Sequence, residues 1–503
     1  MTTQPDNHEP IASARPGRVR TAHQRAPQQH TRGPRRLRLT PAEHPARRQP
    51  KWLGVSTWDD SGEVIGLRVA DARHHVHVQG VTGSGKSTWL ANHVLGEAQA
   101  GRGVALLDCQ GDLARHVLDR LPARCGERLV ILDPAETQAP PAWNVLAPTP
   151  GAMASGTVGR EFAGENVVGV FRRLYAAWWG PRMDDVMRAA CLTLARRRGS
   201  TLADVVTVLT NTGFRRGLLA RHGEPDGLDG FWDGFDQLSV GQRAQLCGPI
   251  LSRLRGVLAR RFARDLLGAA RSSFTLADVL DGGILIARLA KGEIGENTAQ
   301  LVGSLLLSGL WSAATARSAQ PPEQRRDATI VVDECHNFLH LPIGVDDTLA
   351  EARGYRVSLV LAHQHLTQLP VDVRDAVDAN ARNKLFFTVS PNDAAKLVRH
   401  VAPYFGDMDL SRRRAFEVVT RTVHHGDDAP PFTLATVPLP PRISGRAEAL
   451  RAAARARTGL SVAHRADTVQ RRRLAAAPGS DKVRPAPALD ARLIEPPGAD
   501  KAG

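Results

Sequence analysis

The chain has 503 residues and a formal net charge of +15 at pH 7. Its length exceeds what one core usually holds, so we expect one large domain with an insertion and tails. The charge favours a polyanionic partner, although basic tails alone would produce it, and five widely spaced cysteines without a C-x-x-C pair argue against a disulfide framework and a zinc site.

Residues 1–50 are rich in Arg, Pro, His and Gln and contain no apolar run. We therefore expect no signal peptide and a disordered basic arm, which either contacts DNA or a partner or is only a solvated tail. Residues 51–150 form the first part of a predicted nucleotide-binding domain. This part opens with a small hairpin, 52–55 and 64–67, and continues with a short strand at 76–78.

A glycine-rich segment follows that strand and fits the phosphate-binding pattern G-x-x-x-x-G-K-[ST]. Its glycines let backbone N–H groups point at a phosphate, Lys86 can reach the β and γ oxygens, and the Ser87 hydroxyl can hold Mg²⁺. The helix predicted after the segment adds its positive N-terminal end to the site. We therefore predict that ATP binds at Gly80, Thr82, Gly83, Ser84, Gly85, Lys86, Ser87 and Thr88.

A second element predicts hydrolysis as well as binding. The β-branched run 328–332 is typical of a buried parallel strand and ends in two adjacent carboxylates, Asp333 and Glu334. At that position Asp333 would hold Mg²⁺, and Glu334 would orient or deprotonate the attacking water. An acidic pair after a strand can also precede a helix, but beside a phosphate loop it favours an ATPase.

The pattern of elements predicts a domain interrupted by an insertion. Residues 151–275 follow helical spacing throughout and are interpreted as an all-α insertion domain. Residues 276–440 return to strands that alternate with helices, which predicts an α/β fold with a mostly parallel central sheet. The two phosphate-site strands are far apart in the chain with another strand between them, which suits a RecA-like P-loop NTPase. The predicted further strands are 103–108, 129–133, 283–287, 357–362 and 385–389.

Two other segments bear on membranes and tails. The uncharged stretch 301–316 is shorter than a membrane span and contains glycine and serine, so we expect a helix buried on the sheet. Residues 441–503 form an Ala/Arg/Pro-rich tail, which we expect to be largely disordered apart from a helix near 447–457.

Several motifs in this order resemble the HerA/FtsK superfamily of DNA-pumping ATPases. Within it, the chain is most similar to the TraG/TraD-type coupling proteins of conjugation and type IV secretion, over roughly residues 50–440. In the segment 143–146, Val145 stands where the family usually has a proline. Besides the phosphate loop and the carboxylate strand, the matching segments are 107–113, 132–134 with 143–146, 289–296, 351–355 and 361–364.

The resemblance implies two further catalytic residues. Gln364 would be a polar sensor at the end of its strand, in contact with the γ-phosphate or water. Arg353 would reach the nucleotide of a neighbouring subunit and neutralise charge on the transferred phosphoryl group, although a surface-helix arginine is the alternative. We expect the nearby histidines His336, His363 and His365 to be packing or strand-edge residues.

These features predict a cytoplasmic ATPase that forms a homo-hexameric ring and drives DNA through its centre by sequence-independent backbone contacts. Members of the resembled family that act in secretion usually carry N-terminal membrane helices, and we expect none here. The expected partners are therefore a relaxase and a secretion-channel or membrane protein that would hold the chain at the inner face of the membrane. Two alternatives stay open: a HerA-like DNA-processing or defence ATPase that works with a nuclease, and a nucleotide-switched scaffold that pumps no DNA.

Overall fold

The strands follow the buried apolar runs of the sequence. In the computed structural model, which describes residues 45–57, 62–151, 156–461 and 465, they join into one eleven-stranded sheet and a separate two-stranded ribbon. The predicted basic arm and most of the predicted tail therefore lie outside the described residues. The strands are β1 Lys51–Ser56, β2 Val64–Leu67, β3 Val76–Gln79, β4 Gly103–Asp108, β5 Leu129–Leu132, β6 Ile284–Arg288, β7 Ala328–Val332, β8 Val357–His363, β9 Asn383–Phe386, β10 Glu417–Arg421, β11 Val423–His424, β12 Asp427–Asp428 and β13 Phe432–Ala435.

The large sheet is parallel over most of its width. Its order is β2-β1-β13-β10-β9-β3-β8-β7-β4-β6-β5, and every pair from β9 to β5 is parallel. Strand β8 lies between β3 and β7, so the two phosphate-site strands are separated by one strand. The predicted α/β fold with a RecA-like, mostly parallel sheet is confirmed.

The antiparallel edge of the sheet was only partly predicted. The hairpin β1–β2 forms as expected, but it joins the sheet through β13 and β10, which no sequence pattern indicated. Both missed strands are short, and each has buried central residues between two half-buried ends. The strand predicted at 385–389 ends earlier, at Phe386, because the chain bends there and Thr388 accepts a hydrogen bond from the N–H of Val81 at 2.9 Å.

Helices cover both faces of the sheet. The proposed domain limits at 151 and 275 stay a prediction, but the helices from Gly156–Leu174 (α4) to Arg261–Leu267 (α10) follow one another without an intervening strand. The helices are α1 Val69–Ala72, α2 Lys86–Gln99, α3 Asp112–Leu118, α4 Gly156–Leu174, α5 Pro181–Ala195, α6 Leu202–Thr210, α7 Thr212–His222, α8 Phe231–Gln237, α9 Val240–Leu258, α10 Arg261–Leu267, α11 Leu276–Leu280, α12 Lys291–Ile294, α13 Glu296–Thr315, α14 Val345–Ala352, α15 Val371–Asn380, α16 Pro391–Leu397, α17 Asp407–Ser411 and α18 Arg446–Thr458.

Helix α13 packs tightly in the core. Among the described residues it is the one helix, taken as Glu296–Ala319, whose length and composition would allow a membrane span, and 72% of its most apolar window is buried within the protein. Small residues allow this packing, because Gly303 faces Phe338 and Gly309 faces Trp143. The helix thus contributes to the core under the sheet, as its sequence predicted.

The segment after the last strand ends in helix α18, which is held against the residues that follow β5 by ion pairs. Arg455 donates from Nε to Glu136 at 2.8 Å, and Arg451 pairs with the buried Asp133. Asp133 also accepts a hydrogen bond from the guanidinium group of Arg288 at 2.9 Å. Helix α18 was predicted near 447–457 and is confirmed.

All five cysteines are buried and free of disulfides, as predicted.

We predict that Gly303→Ala destabilises the protein by about 1–3 kcal/mol. A Cβ at this position would lie 2.2 Å from Phe338 Cδ1, so the buried ring would have to move. The matched control is Gly96→Ala in α2, where the added Cβ would meet no described atom within 4 Å apart from its chain neighbours and the adjoining helix backbone, and a gain of about 0.5–1 kcal/mol is expected. Denaturant unfolding measures both changes. Equal effects of the two substitutions would contradict this account of α13.

Candidate nucleotide-hydrolysing site

The loop between β3 and α2 has the backbone of a phosphate cradle. Gly83 and Gly85 adopt φ of 81° and 106°, in the left-handed region that favours glycine. Gly80 is required for space, because a Cβ there would lie 2.6 Å from both Phe387 Cβ and Ser84 Oγ. As the N-cap, Gly85 offers no side chain to the first N–H groups of α2, which leaves these donors and the positive helix end for an anion.

The lysine of this loop meets the acidic pair after β7. Lys86 Nζ donates to Glu334 Oε1 at 2.9 Å, and both side chains are buried. Glu334 adopts a left-handed φ of 48°, an uncommon conformation for a residue with a side chain. The two segments that the sequence predicted to share one site therefore lie in direct contact.

Gln364 joins the same cluster from the end of β8. Its Nε2 donates to Glu334 Oε1 at 2.9 Å, and its Oε1 accepts from Thr82 Oγ1 at 3.2 Å. The side chain of Gln368 fixes the turn, because its Oε1 accepts from the N–H groups of Gln364 at 3.0 Å and His365 at 2.8 Å. A continuous hydrogen-bonded chain thus runs from the phosphate loop through Gln364 to Glu334.

Asp333, the residue before Glu334, is buried and has a carboxyl group with a perturbed pKa. Burial, together with the nearby charges of Glu334 and Asp108, raises the pKa of Asp333 to about 7 against the opposing effect of Lys86. Asp108 itself is occupied by the N–H groups of Gln110, Gly111 and Ala114 at 2.8–2.9 Å.

The residues present suit a divalent cation. Glu334 Oε2 is buried and has no hydrogen-bond partner within the described part of the chain, while Asp333 beside it is a buried carboxyl group that a cation would favour in its charged form. Hard oxygen ligands next to a phosphate cradle are what Mg²⁺ prefers. Ser87 and Thr88 are the second and third residues of α2, and the Ser87 side chain is exposed at the loop.

Arg353 lies away from this cluster in its own chain. It caps the C-terminal end of α14 and is exposed, and four residues later β8 begins. Since Gln364 follows the other end of the seven-residue β8, the strand alone separates the two by about 20 Å. Within one chain, Arg353 therefore lies at the amino end of β8, and Lys86 follows the carboxyl end of the neighbouring parallel strand β3.

One supporting residue was not recognised from the sequence. The buried carboxylate of Asp393 accepts from Gln79 Nε2 at 3.0 Å and from the N–H of Leu366 at 3.4 Å. It thereby ties the end of β3 to the turn that carries Gln364. Its only local signal is the Ser390-Pro391 helix start, which says nothing about a partner so distant in sequence.

The histidines near the site pack against neighbouring groups. His77 and His363 approach Nε2 to Nε2 at 2.7 Å under the phosphate loop, and burial lowers both pKa values, that of His363 to about 3. His336 Nδ1 lies 3.7 Å from Glu334 Oε2, and burial also lowers its pKa. These rings are therefore neutral at pH 7, which leaves Lys86, among the described residues, as the cation that contacts Glu334.

The fold recurs in solved structures of the plasmid coupling protein TrwB and of VirB4. Plasmid coupling protein TrwB in complex with the non-hydrolysable ATP analogue ADPNP aligns with a TM-score of 0.53 at 16% identity, over 83% of this chain and 96% of that one. TrwB with ADP and Mg²⁺ gives 0.52 at 15%, over 83% and 97%. VirB4 of Thermoanaerobacter pseudethanolicus gives 0.50 at 13%, over 77% and 96%.

This chain has the fold of the conjugative coupling proteins. The structural resemblance expected from the motifs is thereby confirmed, and at these identities it concerns the fold. No protein-family model matches the sequence, and no curated protein matches it.

We predict that Asp333→Asn stabilises the nucleotide-free protein at pH 8 more than at pH 5. The carboxyl group has a pKa of about 7 in the folded protein against an ordinary value of 3.8. Ionisation of Asp333 therefore lowers the free energy of unfolding as the pH rises above 4, and this loss reaches its full size above pH 7. The gain from removing it should therefore grow over that interval, to at most about 4 kcal/mol.

The measurement is denaturant unfolding at the two pH values with a chelator present. Asp372→Asn, at an exposed aspartate, serves as the control. A gain in stability that is the same at pH 5 and pH 8 would contradict the burial of an ionisable group at position 333.

Proposed function

We propose that this chain is an ATP-hydrolysing motor that assembles into a homo-hexameric ring and translocates DNA, as a coupling-type ATPase of conjugation or type IV secretion. The observation that carries the proposal is the convergence of Lys86 and Gln364 on one carboxylate oxygen of Glu334 beside the phosphate loop. The solved TrwB structures with an ATP analogue and with ADP and Mg²⁺ support nucleotide and Mg²⁺ binding in this fold.

Each residue would then have one task. The loop N–H groups and Lys86 would bind the triphosphate, and Ser87 and Asp333 would hold Mg²⁺, which would neutralise charge on the β and γ oxygens. Glu334 would accept a proton from the water whose oxygen bonds to the γ-phosphorus as the bond to the β-phosphate oxygen breaks. Gln364 would orient that water, and ADP and phosphate would leave.

A ring would complete the site. Arg353 is exposed and lies near the amino ends of the parallel strands, whereas its own phosphate loop follows the carboxyl end of β3. It could therefore neutralise the transferred phosphoryl group only in a neighbouring subunit. This separation supports a trans-acting role.

Contact with DNA would be electrostatic and independent of sequence, in keeping with the net charge of +15. The exposed Arg412 and Arg414 follow the end of α17 and are candidates for backbone contacts. A relaxase and a channel or membrane protein would be the partners, and the chain would work in the cytoplasm, at the inner face of the membrane when such a partner holds it.

We predict that Lys86→Ala abolishes ATP binding, whereas Glu334→Gln binds ATP but hydrolyses it at least 100-fold more slowly, since general-base catalysis contributes about 10²–10⁴-fold. Single-turnover hydrolysis with labelled ATP, together with equilibrium binding, separates the two effects. Glu323→Gln, at an exposed glutamate before β7, should change neither. Near-normal turnover in Glu334→Gln would remove this residue from the role of base.

DNA coupling is tested by ATPase rates with and without single- and double-stranded DNA at two salt concentrations. We expect stimulation that weakens as salt rises, because phosphate contacts release counterions. An ATPase rate that DNA does not change under any of these conditions would favour the nucleotide-switched scaffold over a motor.

The trans role of Arg353 predicts complementation. Arg353→Ala and Lys86→Ala should each be inactive alone, but a mixture should regain part of the ATPase activity, because intact loops and intact arginines then meet at some boundaries. Native mass spectrometry would verify mixed rings. Mixed rings without any recovered activity would contradict a trans-acting Arg353.

A further inference from the structure

Phe416 is an unusual residue beside the phosphate loop. It lies directly before β10 with a left-handed φ of 69°, and 47% of its surface is exposed. Such a conformation is a genuine outlier for a bulky side chain, and it persists only where surrounding contacts hold it. An exposed aromatic ring in this conformation adds little to a core.

Its backbone is fixed on both sides. The N–H of Phe416 donates to the carbonyl of Ser84 at 2.8 Å, and its carbonyl accepts from the N–H of Thr436 at 2.7 Å. The ring lies against the loop, since a Cβ built on Gly85 would be 2.9 Å from Phe416 Cδ1. The phosphate loop itself therefore holds this ring in position.

The sheet order gives the direction in which a nucleotide would lie. Strand β3, which leads into the loop, has β8 and β9 as its two neighbours. The hydrolytic residues Glu334 and Gln364 come from β7 and β8, on one side. Phe416 comes from the other side, where β10 pairs with β9. A triphosphate whose γ end points at Glu334 would extend its base towards the side that carries Phe416.

We propose that the ring of Phe416 is the stacking platform for the nucleobase of the bound nucleotide. This inference rests on the proposed nucleotide site and extends it to the base. Stacking uses the π-face that every base has and reads no hydrogen-bond pattern. The site should therefore bind ATP and GTP with similar affinity and prefer both over a ligand that lacks a base.

The test compares MgATP with magnesium tripolyphosphate by calorimetric titration of the full chain. Phe416→Ala should weaken ATP binding about tenfold, the order expected from loss of one base–aromatic stack, and leave tripolyphosphate binding unchanged. Phe416→Gly removes the ring and also suits the left-handed backbone, so agreement of the two variants excludes a folding defect. Phe416→Trp, which keeps an aromatic ring, should bind ATP as the wild type does, and KM should rise in the Ala variant with little change in kcat.

The matched control is Trp178→Ala, an aromatic residue that is 75% exposed in the helical region between α4 and α5. Equal losses for ATP and tripolyphosphate, or no loss for either in active enzyme, would overturn the inference and leave the proposed function standing. Weaker binding of single-stranded DNA with unchanged ATP binding would also overturn it and assign the ring to DNA. Wild-type protein that binds no ATP would end the proposed function and this inference together.

Discussion

The site depends on one buried ion pair, in which the Lys86 ammonium group and the Glu334 carboxylate neutralise each other at 2.9 Å. Burying either charge alone would be costly, so each requires a counter-charge. The pair joins the loop after β3 to the end of β7, and Gln364 adds the end of β8. A triphosphate would compete with Glu334 for Lys86, so that nucleotide binding itself would release the carboxylate that we propose as the base for water. Binding and hydrolysis would thus share one set of atoms.

The parallel sheet supplies the rigidity that this arrangement needs. Strands β3, β8 and β7 are held in register, with Gln79 opposite His363 and Val332 opposite Leu361. Because the strands are parallel, their carboxyl ends lie side by side. Two of the five non-glycine residues with positive φ in the described part of the chain, Glu334 and Phe416, lie beside this site. Such strain is tolerated where surrounding structure over-determines the backbone, and it is characteristic of functional sites.

The sequence predicted those parts of the molecule that local physics determines. Strands β4, β7 and β8 are buried on both faces and therefore stand out as continuous apolar runs, and the phosphate loop has a backbone that only its glycines allow. Strands β10 and β13 were missed because they are short and lie where the sheet turns antiparallel. The supporting roles of Asp393 and Phe416 depend on tertiary contacts that no local pattern encodes. Arg353 stays a prediction, since its role requires a second copy of the chain.

The most direct test of the central claim is a crystal structure of the wild-type chain with Mn²⁺ in place of Mg²⁺ and a non-hydrolysable ATP analogue. The account predicts anomalous density for the metal between Ser87 and Asp333, Lys86 on the β and γ oxygens, and Glu334 released from Lys86 towards the γ-phosphate. A nucleotide bound elsewhere, or one bound at the loop with the metal remote from Asp333 and the Lys86–Glu334 pair intact, would contradict it.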